Sequence, residues 1–143
     1  MAQARVVDYD PAWPITFEEI QRRIKPALKE VALVVEHVGS TAVPDLAGKP
    51  IVDLDVVVTN TSQVPIAIER LGALGYEHQG DLGVAGREAF RPPADGPYHH
   101  LYVVVAGSQP HRDHIDLRDY LRGHPDEAER YAERKREIAH TSC

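Results

Sequence analysis

Cysteine is nearly absent from this 143-residue chain, and the only one, Cys143, is its last residue. No disulfide can form within it, which excludes a small secreted scaffold stapled by bridges. Long apolar runs are lacking too. The longest, such as Ile51 to Val58, are interrupted by aspartate, so no transmembrane segment is expected. The opening MAQARVVDYDPAWP has no continuous apolar stretch of the secretory type, and a cytoplasmic protein is expected. Positive charge is in deficit: the formal net charge is -6 with histidines neutral. That argues against a generic nucleic-acid binder held by an overall positive field, and against a membrane partner.

What is present fits one globular domain spanning residues 1–143, with 43% hydrophobic and 27% charged residues and enough length to bury a core without staples. Asp10-Pro11, or Thr16 with Glu19 as a capping box, opens a helix with Phe17, Ile20, Ile24 and Leu28 at helical spacing, which Pro26 kinks or ends. Residues 31–38 read as a buried strand, 40–50 as a turn or short helix, and 51–58 as a second strand. Thr61 or Ser62 caps a helix with Val64, Ile68 and Leu71 on one face, stopped near Gly75, and Tyr76 starts the return. A short strand lies between glycine- and proline-rich loops in 80–97, and 99–106 is a β-branched strand. A helix with Leu117, Tyr120 and Leu121 on one face follows, broken at Gly123 and Pro125. The last helix puts Ala128, Tyr131, Ala132, Ile138 and Ala139 on its apolar face.

The second strand carries the chemistry. Asp53 and Asp55 alternate within Ile51, Leu54, Val56, Val57 and Val58. In a strand, positions two apart share a face, about 6.5 Å apart at ~3.3 Å rise per residue. Paired carboxylates at that spacing repel unless a cation lies between them, and Mg²⁺ or Mn²⁺ suits their oxygens. One turn earlier, Gly39 lets a phosphate approach the backbone closely and Ser40 supplies a hydroxyl donor.

A Gly-Ser turn followed by acid, apolar residue, acid on the next strand resembles the nucleotidyltransferase superfamily. The chain more closely resembles the GrpB (UPF0157) family. The resemblance rests on Tyr9-Asp10-Pro11-Ala12-Trp13-Pro14, on residues 36–44 (EHVGSTAVP), and on Lys49-Pro50-Ile51-Val52-Asp53. It continues through His100-Leu101-Tyr102-Val103, residues 118–122 (RDYLR) with His124-Pro125, and Tyr131 with Lys135. It implies an α/β (α+β) fold, a nucleotidyltransferase-like mixed β-sheet flanked by helices. It also implies members standing alone or fused to dephospho-coenzyme A kinase, and departs from this chain at Tyr102 (usually histidine) and Asp45 (usually glycine).

Together these readings predict a metal-dependent transfer of a nucleoside monophosphate from an NTP to an acceptor the sequence does not name. The alternative is a non-catalytic nucleotide- or coenzyme-binding accessory module. Asp53, Asp55 and His100 are the expected catalytic and metal-binding residues, His100 standing where active relatives of the superfamily carry a third carboxylate. Gly39, Ser40, Thr41, Lys49, Arg87 and Arg118 are expected to bind the nucleotide, since a triphosphate needs cations. His111 and His114 have helical ligand spacing but no assignable third ligand, and read as surface. The amphipathic last helix allows a homodimer.

Overall fold

The computed structural model describes residues 6–141. Its centre is a five-stranded mixed sheet made of β1 (Ala32–Val38), β2 (Val52–Val58), β3 (Glu77–Gly80), β4 (Arg87–Arg91) and β5 (His99–Val105). The strand order is β1-β2-β5-β4-β3. Only β2 and β5 run parallel; the other neighbours are antiparallel. The helices are α1 (Ala12–Ile24), α2 (Val64–Ala73), α3 (Gln109–Gly123) and α4 (Pro125–Thr141). No described helix is long and apolar enough to cross a membrane.

Alternation along β2 assigns the two faces. Val52, Leu54, Val56 and Val58 join Leu101 and Val103 of β5 in the main core, beneath Trp13, Ile20 and Ile24 of α1 and Ala67 and Leu71 of α2. Each fully buried leucine or valine there contributes roughly 1.5–3 kcal/mol of transfer free energy. The opposite face carries Asp53 and Asp55, beneath α3. A smaller cluster of Val43, Leu46, Ala47, Leu121, Ala128 and Ala132 fastens α3 and α4 onto the segment leading to β2.

Several local expectations need correction. Residues 32–38 are an edge strand rather than a buried one, with Leu33 and Val34 exposed; the run of hydrophobic residues reflects β propensity, not two covered faces. The first helix begins at Ala12, whose N–H donates to Asp10 Oδ1 at 2.8 Å, so the Thr16/Glu19 box is not its start. Pro26 converts its end to a 3₁₀ turn over Lys25–Leu28. Asn60, not Thr61 or Ser62, supplies the cap before α2 by accepting from Ser62 N–H at 3.0 Å. In α3, Leu121 is buried but Leu117 and Tyr120 are exposed, because the helix meets the acid face of the sheet through polar side chains. Ile138 and Ala139 lie outside the residues whose side chains are described.

Candidate active site

The parallel pairing of β2 with β5 sets Asp53 opposite His100 and Asp55 opposite Tyr102, so all four side chains stand on one face. The expected sharing of a face by the two acids holds. Their surroundings differ. Asp53 is partly open, and its Oδ1 accepts from His100 Nδ1–H at 2.7 Å. Asp55 is completely buried, and its Oδ2 accepts from His114 Nδ1–H at 2.8 Å. An ionised carboxylate can only accept, so each bond leaves the imidazole Nε2 as the second functional nitrogen. Burial raises the Asp55 pKa, opposed by the bond to His114. That same bond raises the His114 pKa against the opposing effect of burial.

His114 therefore belongs to the site and not to the surface, correcting the expectation from its i, i+3 spacing. Its partner is Asp55, brought from 59 residues away, as a hydrogen-bond acceptor and not as a further metal ligand. His111 also faces inward: its Nδ1 accepts from Gly107 N–H at 3.1 Å while Nε2 is buried. Among the described residues, four buried side-chain atoms lack a hydrogen-bond partner: Asp55 Oδ1, Arg87 Nε, Ser108 Oγ and His111 Nε2. All four come from β2, β4 and the first turn of α3 with its preceding residue.

The Gly-Ser turn lies directly against the first acid. Gly39 has φ +77°, and a Cβ there would stand 2.3 Å from Asp53 Oδ2. Glycine is required for both backbone and space. Ser40 is partly exposed and opens a 3₁₀ turn over Ser40–Ala42. Thr41 is buried and shares a 2.8 Å hydrogen bond with His37 Nε2, so its hydroxyl supports the turn from beneath instead of facing a ligand. Asp45 adopts φ 66°, a left-handed conformation that suits the glycine implied there by the family resemblance and that Asp tolerates.

The expected cations separate into distinct roles. Arg118, on α3, gives Nη1 to Glu36 Oε1 at 3.2 Å and to the His37 carbonyl at 3.1 Å, and Nε to Asp119 at 2.9 Å. Burial of Arg118 is outweighed by those carboxylates, which raise its pKa. It is a strut between α3 and β1 rather than an uncommitted phosphate ligand. The Arg87 guanidinium lies 4.5 Å from the centroid of the Tyr102 ring, a cation–π contact on the acid face. Lys49 is exposed just before β2. Sequence reading passed over Arg122, whose Nε donates to the Ala42 carbonyl at 2.9 Å. It stands inside the RDYLR run, but only the tertiary contact distinguishes it from a surface arginine.

His37 provides a measurable report on this region. It stacks on Phe17, with ring centroids 4.7 Å apart and planes 8° from parallel. Burial, then Arg122, pushes its pKa down to about 4, with Asp53 opposing. The unfolded chain therefore binds a proton more readily between about pH 6.5 and about pH 4. Stability that is complete above the upper value is lost as pH falls through that window. The expected loss is about 2 kcal/mol, discounted because part of the ring still meets solvent. Urea unfolding at pH 7 and pH 4.5 checks this; His37→Gln, which can still bond Thr41, should flatten the difference.

A metal centre assembled from three or more His, Cys, Asp or Glu side chains is not found among the described residues. His100 directs its Nδ1 at Asp53, which leaves Nε2 as its second nitrogen. The two acids themselves still offer hard oxygens, including the unpartnered Asp55 Oδ1, and this donor chemistry fits Mg²⁺ or Mn²⁺.

Comparison with known proteins agrees with this architecture. The family described as "GrpB protein" matches residues 3–143. UPF0157 protein YqkA of Bacillus subtilis is 32% identical over 137 residues, covering 96% of this chain and 40% of that protein. The chain thus spans less than half the length of that relative. The crystal structure of GrpB from Enterococcus faecalis superimposes with a TM-score of 0.83 at 37% identity, covering 95% of this chain and 83% of that one. The Cid1 poly(U) polymerase, solved with MgGTP bound, gives a TM-score of 0.54 at 17% identity, covering 81% of this chain and 39% of that one. The last likeness shows a shared fold alone.

Proposed function

The chain belongs to the GrpB family, and from that premise we propose that it is a metal-dependent nucleotidyltransferase, in which an acceptor hydroxyl attacks the α-phosphorus of an NTP, takes the nucleoside monophosphate and releases pyrophosphate. The observation that carries this reading is the juxtaposition of Gly39 with Asp53, on the face that also holds Asp55 and His100. Asp53 and Asp55 would hold Mg²⁺ or Mn²⁺, which when bound offsets charge on the phosphoryl oxygens. Gly39 admits the phosphate chain to the backbone, and the Ser40 hydroxyl donates to it. His100 acts as general base. Asp53 accepts its Nδ1–H, which fixes the tautomer and leaves Nε2 to take the proton of the attacking hydroxyl. Lys49 contributes positive charge from the rim. The site works in the cytoplasm, where NTPs and divalent cations are available.

The test is incubation with labelled NTPs, Mn²⁺ and a panel of acceptors. Asp53→Asn should reduce transfer by at least about 100-fold, a loss in the range set by electrostatic stabilisation of the transition state. Transfer unchanged in Asp53→Asn and Asp55→Asn would overturn the assignment. A second reading is favoured by the lack of a gathered three-ligand set among the described residues: an accessory module that binds nucleotide or coenzyme without turnover. Calorimetric nucleotide binding with product held at background would select it.

A further inference from the structure

We infer that Arg122 is a ligand for the outer phosphates of a polyphosphate chain lying on the Gly39–Ala42 turn. This rests on reading that turn as phosphate-binding. Arg118 and Arg122 are four residues apart on α3, one helical turn, where like charges repel. Their compensation is unequal. Arg118 bonds to two carboxylates, Glu36 and Asp119. Arg122 hydrogen-bonds only to a neutral acceptor, the Ala42 carbonyl, through Nε; it makes no ion pair among the described residues, and Asp119 and Glu36, both engaged by Arg118, attract it only from beyond bonding distance.

That single bond defines what remains available. With Nε held by the last residue of the turn, the planar guanidinium is oriented while its Nη groups keep their donors. Such a fork matches two phosphate oxygens, and much of its ordering entropy is already spent. Lys135 of α4 lies 5.1 Å from the centroid of the Tyr131 ring, which packs on the cluster containing Val43, Leu46 and Ala47, the residues that follow the turn. In a chain of net charge -6, an arginine with only a carbonyl partner beside a glycine turn calls for an anionic ligand. Asp53 stands against Gly39 at one end of the turn and Arg122 bonds Ala42 at the other, so a linear polyphosphate running along the turn would meet the acid's end with one phosphate and Arg122 with a later one. A single phosphate would occupy one end.

The experiment is calorimetric titration of the intact protein with inorganic tripolyphosphate and, separately, orthophosphate, each with Mg²⁺ present and without nucleotide. Arg122→Met should weaken tripolyphosphate binding at least about 10-fold and orthophosphate binding less than about 2-fold. Arg122→Lys should recover part of the loss. It should also keep the salt dependence that Arg122→Met reduces. Arg112→Met, on α3 with its Nη2 bonded to Gln109, should change neither. Circular dichroism and urea unfolding establish that each variant folds; if Arg122→Met does not, Arg122→Lys against wild type decides. Equal loss for both anions, no loss for tripolyphosphate, or no tripolyphosphate binding by wild type overturns the inference. Arg122-dependent tripolyphosphate binding without nucleotidyl transfer would instead remove the transferase reading alone.

Discussion

Replacing Gly39 with alanine should cost at least about 3 kcal/mol of stability and abolish ligand binding at the turn. Two penalties combine. The backbone there has φ +77° and ψ -175°, a region that non-glycine residues occupy at about 1–3 kcal/mol. The new methyl would also meet Asp53 Oδ2 at 2.3 Å and Cγ at 3.1 Å, so either the turn or the acid must move. Moving the acid breaks its 2.7 Å bond to His100. The matched comparison is Gly72→Ala within α2, where an added Cβ meets nothing within 4 Å and should stabilise by about 0.5–1 kcal/mol through helix propensity. Urea midpoints of the two variants should move in opposite directions. Near-wild-type stability in Gly39→Ala would show that the turn does not press on Asp53.

The second large effect is expected from His114→Ala. Asp55 is fully buried, its Oδ1 lacks a partner among the described residues, and His114 occupies Oδ2. Removing the imidazole leaves a buried carboxylate without that bond, at a cost of about 3–5 kcal/mol. The sign with pH follows from burial, which already raises the Asp55 pKa and would do so further once His114 no longer opposes it. A carboxyl with a raised folded-state pKa favours the protonated form, so stability is greatest at low pH and falls as pH rises through that value. His114 itself has a raised pKa and stabilises the wild type most at low pH, so the unmixed readout is the variant alone: with the imidazole gone, the stability of His114→Ala should fall between pH 5 and pH 8. His114→Gln, able to donate one hydrogen bond, should recover part of the loss at pH 8. Stability of His114→Ala that stays level between pH 5 and pH 8 would mean that Asp55 carries no buried charge for the histidine to compensate.

These two variants mark different degrees of legibility. Gly39 could be singled out because a glycine followed by serine at a strand end, one turn ahead of paired aspartates, has a local meaning. His114 could not. Its spacing from His111 is equally compatible with solvent on an exposed helix, and the partner that decides its role is 59 residues away. Thr41 and Arg118, both expected to bind nucleotide, show the reverse case. Both have the composition of phosphate ligands and a place near the turn, yet His37 occupies one and Glu36 with Asp119 the other. Competition for hydrogen bonds is settled by three-dimensional neighbours, which composition does not reveal.

The same division applies to the whole molecule. Period-two alternation in residues 52–58 by itself determined that Asp53 and Asp55 share a face and that Leu54 and Val56 oppose them, because strand geometry leaves no other arrangement. The helical repeats, the end of α1 at Pro26 and the glycine turn were likewise local consequences of backbone stereochemistry. Only the tertiary structure decided that β1 is an edge, that β5 aligns His100 with Asp53, and that α3 lays His114, Arg118 and Arg122 along the acid face and its turn. Those outcomes depend on strand order and helix placement, set by burial summed over many side chains, so no short stretch of residues contains them.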